Sequence, residues 1–416
     1  MKRLGLTLLT VFALPFSSFA GGGEAPGRVW AKVQATNQFQ RSLIANTGVV
    51  IEHVGDDFVA ITGIPSEIKA VEKKFKVDSK FTLTEKMIDF PGRDARFHNF
   101  NEMLQALRSM ATNNPDIVRI QEFGRSAEGR PLLNIKITTN AQERTDNKPG
   151  IIFIGGHHAR EHVSVEFPIM LAQWIVAQYR QGSEDVQRML QSREINIIPL
   201  VNPDGSEYDI ADGRYKSWRK NRRPLGGRSI GVDLNRNYSY KWGTSGASRN
   251  PASDTYMGPT PFSEPETQAV KRFVEAKDNS TILVSFHTFS ELILYPWSYA
   301  DVRIANERDY LAHKKMAEDM AAMNGYRAIQ SASLYPSSGD TSDWAYAEQN
   351  MFSFTFELDP RSQAQGGFYP GQGILDVVFR KNLRPCIYMI GLADNPYRSL
   401  QTNAGRFGLR SSSLLQ

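Results

Sequence analysis

From about residue 97 onward, the chain alternates short apolar runs with stretches of helical periodicity. The runs are nearly continuous and of strand length, at 151–154, 195–201, 281–286 and 352–356. Strands buried on both faces of a parallel sheet have this composition. Between the runs, apolar residues recur at helical spacing over 163–179, 263–275 and 307–324. The pattern predicts an α/β fold with a mixed, mainly parallel twisted sheet and helices on both faces.

A smaller pattern precedes this domain. Residues 49–51 and 58–61 have the composition of strands, and residues 65–75 form a helical pattern with Ile68 and Val71 on one face. The pattern predicts an α+β unit of about 60 residues, which is small but able to fold. We expect residues 21–85 to form this unit, with a linker at about 81–96. A catalytic domain over 86–402 and a flexible tail over 403–416 complete the expected organisation.

The first twenty residues have the form of a signal peptide. Lys2 and Arg3 precede an apolar stretch at 4–16, and small residues end at Ala20, which suits cleavage. No run of about 18 apolar residues follows this segment, so the sequence predicts no membrane span. We therefore expect an exported protein, secreted or periplasmic. The one cysteine, Cys386, excludes an internal disulfide, and its apolar surroundings predict a core residue.

Polar residues follow three of the apolar runs. His158 and Glu161, in the order His-x-x-Glu, follow the first run, and His287 follows the run at 281–286. Glu357 ends the run at 352–356. Alone, each is typical of a satisfied core histidine or a paired carboxylate. Together they mark one edge of the sheet, where ligands bind in such folds, and a catalytic zinc needs three such protein ligands.

A basic stretch over 214–228 contains seven lysines and arginines. It is typical of a solvated basic face, and a nucleic-acid patch is the alternative. The stretch has few aromatic residues and the formal net charge is only +5, so no nucleic-acid partner is expected. Shortly after it, Asn235 and Arg236 offer an amide beside a guanidinium, a pair suited to capturing a carboxylate.

These motifs together resemble the zinc metallocarboxypeptidases of the carboxypeptidase A type, over about residues 97–392. The residues that carry the resemblance are His158-Ala159-Arg160-Glu161, Ser217-Trp218-Arg219-Lys220, Gly231-Val232-Asp233-Leu234-Asn235-Arg236-Asn237, Phe286-His287-Thr288, Tyr295-Pro296, Tyr335, Ser338-Gly339, Asp343-Trp344 and Phe354-Thr355-Phe356-Glu357-Leu358.

The resemblance implies a metal centre and its catalytic partners. One zinc ion per chain would be bound by His158, Glu161 and His287. The neighbouring His157 is a rival, but the family's ligand directly precedes the small-Arg-Glu triplet. The remaining catalytic roles fall on Glu357, as general base on the zinc-bound water, and on Arg219, as stabiliser of the developing oxyanion.

The resemblance also implies the substrate contacts. Asn235 and Arg236 would hold the C-terminal carboxylate, Arg160 would lie near the approaching peptide, and Tyr335 would close over the terminal residue. The pocket for the terminal side chain would include Leu294, Ser298, Asp340, Thr341 and Ser342.

Ser342 occupies the position that is a carboxylate in basic-specific relatives and a large aliphatic residue in strictly apolar-specific ones. Asp340 could face a cationic side chain, or it could only cap the turn at Gly339. We therefore expect a broad carboxypeptidase that favours hydrophobic and secondarily basic terminal residues.

Two alternatives compete with this function. One is a zinc peptidase acting on cell-wall (murein) peptides, and the other is a zinc-binding pseudoenzyme. The presence of Asn235, Arg236 and Glu357 favours an active carboxypeptidase. The unit at 21–85 resembles the family's activation segment in place and size, and it could instead be a permanent accessory domain. As an activation segment, it would restrain activity until cleavage between residues 75 and 96. We expect a monomer acting on peptides or proteins with a free C-terminus.

Overall fold

A computed structural model describes residues 29–82, 90, 92–211, 215–226 and 230–401. The expected signal peptide, the tail at 403–416 and half of the expected linker, residues 83–89 and 91, lie outside the described residues. The predicted linker begins too early, because the last strand of the small unit continues to Thr82. In the described part of the chain, no helix is long and apolar enough to cross a membrane.

The N-terminal unit is a four-stranded antiparallel sheet with two helices, in strand order β2-β3-β1-β4. Its elements are β1 (Val29–Gln34), α1 (Gln38–Ala45), β2 (Val50–Val54), β3 (Phe58–Gly63), α2 (Pro65–Glu72) and β4 (Val77–Thr82). Asn37 caps α1, and Pro65 opens α2 at a position where its missing N–H costs nothing. Ile68 and Val71 of α2 are buried in the core of this unit, as their spacing predicts.

The larger unit is an eight-stranded mixed sheet in the order β11-β10-β12-β9-β7-β8-β6-β5. Its strands are β5 (Val118–Arg125), β6 (Pro131–Ile137), β7 (Gly150–Ile154), β8 (Glu194–Ile198), β9 (Ser280–Thr288), β10 (Leu292–Tyr295), β11 (Arg327–Gln330) and β12 (Phe352–Leu358). Four of its seven strand pairs in the described chain are parallel, which confirms the predicted fold class.

Helices cover both faces of this sheet. They are α3 (Phe100–Asn113), α4 (Val163–Arg180), α5 (Glu184–Ser192), α6 (Pro203–Ile210), α7 (Pro265–Glu275), α8 (Glu307–Asn324), α9 (Thr341–Gln349) and α10 (Leu375–Leu392). Successive residues of the central strands point to opposite faces, so Phe153 packs in the core with α4 while Ile154 packs in the core with α7 and α9. Cys386 is a buried residue of α10, and its free thiol packs in the core as expected.

One predicted turn is a helix. The Asn202-Pro203-Asp204-Gly205 segment, read from the sequence as a turn, is the first turn of α6. The Asn202 side chain accepts a hydrogen bond from the Gly205 N–H at 3.0 Å, and Pro203 stands at the first helical position. Asn and Pro favour helix starts as well as turns, so the composition alone could not separate the two.

Candidate metal centre and substrate cleft

Three donor side chains converge at the carboxyl ends of β7 and β9. The Nδ1 atoms of His158 and His287 lie 3.1 Å apart. The Glu161 carboxylate oxygens lie 2.7 Å from the first and 2.9 Å from the second of these nitrogens. All three side chains are buried. Within the described residues they form the one cluster of three potential metal ligands, and they are the three that the sequence nominates.

Two glycines bring the first donors close to the sheet. A Cβ atom on Gly155 would lie 2.1 Å from the carbonyl oxygen of Ser164, so no larger residue fits there. Gly156 has φ +63°, in the left-handed region where a side chain is strained. The chain can therefore turn sharply after β7 and place His158 and Glu161 one turn before α4.

The second nitrogen of each histidine has its own partner. His158 Nε2 lies 3.1 Å from Asp233 Oδ1, and His287 Nε2 lies 3.0 Å from Ser285 Oγ. These contacts fix the ring orientations and leave both Nδ1 atoms directed at one point, as outer partners do in metal sites. Two imidazole nitrogens and a carboxylate are a common ligand set of catalytic zinc. The residues present therefore fit the zinc ion that the sequence predicts.

Charges around the donors favour ionised carboxylates. Burial opposes ionisation of Glu161 and Asp233, yet the pKa of each lies well below its usual range. The two histidines lower the pKa of Glu161, and the Arg219 guanidinium lowers that of Asp233. Arg219 Nε donates to Asp233 Oδ2 at 2.9 Å, and its Nη1 lies 3.8 Å from Glu161. Arg219 is therefore held beside the metal donors, where a developing oxyanion would form.

His157 is directed away from the donor cluster. Its Nε2 lies 2.9 Å from the Tyr238 hydroxyl and 3.0 Å from Thr341 Oγ1. Burial lowers the pKa of His157 well below its usual value. The ring packs on that of His287, with 5.7 Å between the centroids. Its contacts are those of a buried structural residue.

Glu357 belongs to the same pocket as the metal donors. It lies on β12 directly opposite His287 of the neighbouring parallel strand β9, and both line the cleft. Burial raises the pKa of Glu357 well above its usual value, and the nearby negative charge of Glu161 adds to the shift. A carboxyl group with a raised pKa is a stronger base in its ionised form.

The residues expected to bind a terminal carboxylate also line this cleft. Asn235 Oδ1 accepts hydrogen bonds from the N–H and the hydroxyl of Thr341, both at 2.9 Å. Arg236 is fixed by the carbonyl oxygens of Gly246 and Asn235, at 3.0 and 2.7 Å. The Tyr335 hydroxyl donates to the Ile51 carbonyl of the N-terminal unit at 3.1 Å, and burial raises its pKa to about 12.

The structure brings part of the expected specificity pocket together. Leu294, Ser298 and Asp340 line the cleft, beside apolar residues that the sequence did not nominate, Leu292 and Leu334. Asp340 also caps α9, because its side chain accepts from the Asp343 N–H at 2.7 Å. The capping role is therefore present, and the contact with a cationic substrate side chain stays a prediction. Burial raises the pKa of Asp340 above its ordinary value.

Two other nominated residues stand behind the wall. Ser342 is not among the residues that line the cleft in the described chain, and its hydroxyl pairs with that of Thr355 at 2.7 Å. Thr355 occupies the wall instead. Thr341 likewise serves Asn235 and does not face the cleft. The helix α9 begins at Thr341, and its first turn directs these two side chains into the protein.

Arg160 is occupied by a carboxylate of the N-terminal unit. Glu52, on β2, accepts a hydrogen bond from Arg160 Nη2 at 2.6 Å, and the two side chains are 3% and 0% exposed. Arg160 also lies over the Phe368 ring, 4.3 Å from its centroid. Burial raises the pKa of Glu52 to about 7, against the opposing pull of Arg160 and Arg219.

Further polar contacts attach the N-terminal unit to the mouth of the cleft. Gln38 and Arg41 of α1 donate to the carbonyls of Ala332 and Leu334, each at 2.7 Å. Val50, Ile51, Glu52 and Val54 of β2 are themselves among the lining residues. The strand therefore forms part of the wall of the cleft.

The basic stretch at 214–228 was expected to be a solvated face, with a nucleic-acid patch as the alternative, but its described cations contact the rest of the protein. Arg219 and Lys220 are buried, and Lys220 donates to the Pro251 carbonyl at 2.7 Å. Arg222 lies over the Tyr208 ring at 3.5 Å from its centroid, and Arg223 pairs with Glu264 at 2.8 Å. Two buried and two half-buried cations that are held by such contacts do not form the solvated face that the stretch suggested. Arg214 and Arg228 lie outside the described residues.

Several cleft residues escaped the sequence reasoning. Glu52 carried one signal, an acidic residue directly after the apolar run at 49–51. Asp233 stood inside a quoted motif without a role. Thr355 and Phe368 had no signal beyond their places in or after an apolar run, because their contacts depend on the docking of distant segments.

Comparison with known proteins gives a consistent set of matches. The family model described as zinc carboxypeptidase matches residues 103–383. A zinc carboxypeptidase of Saccharothrix mutabilis subsp. capreolus is 32% identical over 386 residues, which cover 86% of this chain and 87% of that protein. Carboxypeptidase B of Rattus norvegicus is 35% identical over 273 residues, with 63% of each chain covered.

Solved structures share the fold. The crystal structure of thrombin activatable fibrinolysis inhibitor has a TM-score of 0.71 at 24% identity, and the match covers 89% of this chain and 99% of that one. Carboxypeptidase A from Helicoverpa armigera has a TM-score of 0.72 at 21% identity, over 91% of this chain and 99% of its own. At sequence identities of 24% and 21%, the similarity is evidence for the fold alone.

Proposed function

The chain belongs to the zinc carboxypeptidase family, and we propose that this hydrolase removes single residues from the C-terminus of peptides and proteins. One observation carries the proposal. His158, Glu161 and His287 converge with their donor atoms 2.7–3.1 Å apart, in the cleft that Glu357, Arg219 and Arg236 also line. A binding module would not need a base and a cation beside a metal site.

The proposed roles follow from chemistry and position. Zinc bound by the three donors would polarise the scissile carbonyl and lower the pKa of a bound water toward about 7. Glu357 accepts the proton of the attacking water and returns it to the leaving amine. Arg219 stabilises the oxyanion, a contribution of typically a few kcal/mol. Asn235 and Arg236 hold the terminal carboxylate, which sets the last peptide bond against the reacting groups.

We propose a broad preference at the terminal residue. Leu292, Leu294 and Leu334 give the pocket apolar walls, and an apolar pocket distinguishes one methylene by only about 1–3 kcal/mol. Asp340 lies on the pocket wall, and its carboxylate already accepts from the Asp343 N–H at 2.7 Å, so it attracts a cation less than an unengaged carboxylate in a direct pair would. Leu and Phe should therefore leave fastest, Lys and Arg more slowly, and Asp and Glu hardly at all.

We further propose that the N-terminal unit is a propeptide that restrains the enzyme. The Glu52–Arg160 pair and the Ile51–Tyr335 hydrogen bond occupy the substrate side of the cleft. Cleavage in the linker would then release the restraint. The features of residues 1–20 support export of the protein. N-terminal sequencing of the exported form would test both cleavages, and the size of the purified protein in solution would test the expected monomer.

A panel of blocked peptides that differ only in the last residue tests the enzymatic proposal. Each peptide is also made as its C-terminal amide. A carboxypeptidase releases the terminal residue from the acids in the order given above and leaves the amides intact. Cleavage of acids and amides at equal rates would contradict an enzyme anchored on the terminal carboxylate. Preference for a branched cell-wall peptide over every linear one would favour the murein alternative.

A further inference from the structure

The environment of Arg160 suggests what kind of side chain it contacts in a substrate. The residue is wholly buried, and it has three other neighbours besides Glu52. The Ser217 carbonyl accepts from Nη1 at 3.3 Å, Asp254 lies 3.9 Å from Nη1, and the Phe368 ring covers the guanidinium. The contact with Glu52 is the shortest, at 2.6 Å. When the N-terminal unit leaves, Arg160 loses its closest carboxylate.

A second observation concerns the same guanidinium. Among the described residues, Arg160 Nε is buried with no hydrogen-bond partner. A buried donor without an acceptor destabilises the state that contains it. An arginine offers a fork of donors that matches a carboxylate in a bidentate way. The guanidinium therefore has capacity for more acceptor contact than the Glu52 side chain supplies.

Strand β2 resembles a peptide lying in the cleft. The Ile51 carbonyl meets the Tyr335 hydroxyl, and the next residue, Glu52, meets Arg160. Burial beneath the N-terminal unit raises the pKa of Glu52, whereas the Arg160 and Arg219 guanidiniums favour its ionised form. A substrate side chain that enters an open cleft experiences the same guanidiniums but less of that burial.

We propose that the cleft selects peptides with an aspartate or glutamate shortly before the terminal residue, and that Arg160 recognises this acidic side chain. While the N-terminal unit is docked, Glu52 occupies the position of this acidic substrate side chain. The inference rests on the proposed carboxypeptidase function and specifies its substrate class. The terminal pocket would thus bind the apolar last residue of a peptide, and Arg160 would bind an acidic side chain upstream in the same peptide.

The test uses blocked hexapeptides that end in leucine and carry either Glu or Gln at one, two or three residues before it. The readout is the ratio of kcat/KM for the Glu peptide to that for its Gln twin. Both peptides bind only to enzyme molecules in which the N-terminal unit has opened. The open fraction therefore lowers both kcat/KM values by the same factor and cancels in the ratio. The zinc-loaded full chain can therefore be used as it is. We expect a ratio of at least about fivefold at one position, since hydrogen bonds to charged groups are the stronger ones.

Variants assign the effect to Arg160. Arg160→Gln should bring the ratio to near one, and Arg160→Lys should keep part of it. Arg272→Gln, which removes an exposed positive charge from α7, is the matched control and should keep the full ratio. A ratio within twofold at all three positions in the wild type would overturn the inference without any variant. A full ratio in folded Arg160→Gln would also overturn it.

A binding measurement keeps this test separate from the proposed function. If neither the full chain nor the protein cut in the linker hydrolyses any peptide, including the Gln series, the proposed function fails. Calorimetric titration of peptides with a non-hydrolysable last bond into the full-length Glu52→Lys variant, whose cleft should be open, then decides the inference. Binding of the Glu peptide at least about fivefold tighter than the Gln peptide supports it. Equal binding at all three positions rejects it.

Discussion

Reversing the charge of Glu52 should open the enzyme without any proteolysis. Glu52→Lys removes the carboxylate that faces Arg160 and places a second cation against a side chain that is 0% exposed. Removing one partner of a buried ion pair costs about 3–5 kcal/mol, because the remaining charge is left uncompensated. Solvent screens neither side chain, so the low end of that range is a fair minimum for undocking of the unit.

The free energy converts directly into activity. Each 1.4 kcal/mol is about tenfold in an equilibrium constant, so about 3 kcal/mol raises the open fraction about 100-fold. The kcat/KM of the full chain on a blocked dipeptide should rise by up to that factor and level off at the value of the protease-cut protein. Circular dichroism of the variant should match the wild type, because the pair joins two units and lies outside both hydrophobic cores.

Glu72→Lys is the matched control, since Glu72 is an exposed residue of the same unit that pairs with Lys80. This variant should leave the activity of the full chain unchanged. The reasoning fails if Glu52→Lys leaves the activity of the uncut protein at the wild-type level while cutting still activates it. It fails equally if both variants activate the enzyme to the same degree.

Three further outcomes follow from individual side chains. Glu357→Gln should keep zinc and fold but lower kcat by about 10²–10⁴-fold, as for loss of a general base; near-normal turnover would remove Glu357 from that role. Asp340→Asn should slow release of Lys and Arg and leave Leu unchanged; an equal effect on both classes would mean that the carboxylate serves only α9. The Glu166 contact raises the pKa of His98 above its ordinary value, so the pair stabilises the fold below about pH 6.5. This stability is lost as pH rises through the raised pKa, so the cost of His98→Gln in unfolding free energy, about 1–2 kcal/mol at pH 6, should shrink toward pH 9.

The centre of the sheet could be predicted because its strands are buried on both faces. An apolar run with a polar residue at its end leaves little choice of structure, and parallel neighbours bring those ends together. The register places Glu357 directly opposite His287. By contrast, the direction of the Ser342 side chain depends on the first turn of α9, and one residue of rotation decides between pocket and interior. The sequence pattern does not specify that rotation.

The role of Glu52 could not be predicted for a different reason. The composition of β2 predicts a strand, and a lone acid in a strand is typical of an exposed face. Its burial depends on the docking of one unit against another, because its partner Arg160 lies 108 positions further along the chain. The same holds for the basic stretch, where the distant partners Pro251 and Glu264 hold Lys220 and Arg223. Patterns of local spacing contain no information on such partners.

Zinc content measured together with hydrolysis tests the central claim most directly. The purified full chain, the His287→Gln variant and the His157→Gln variant are analysed for bound metal and for release of leucine from a blocked peptide. The proposed site predicts about one zinc per chain in the wild type and in His157→Gln, with activity abolished by a chelator and restored by zinc. It predicts that His287→Gln loses zinc and activity together. Full zinc occupancy in folded His287→Gln, or activity that resists the chelator, would contradict the account.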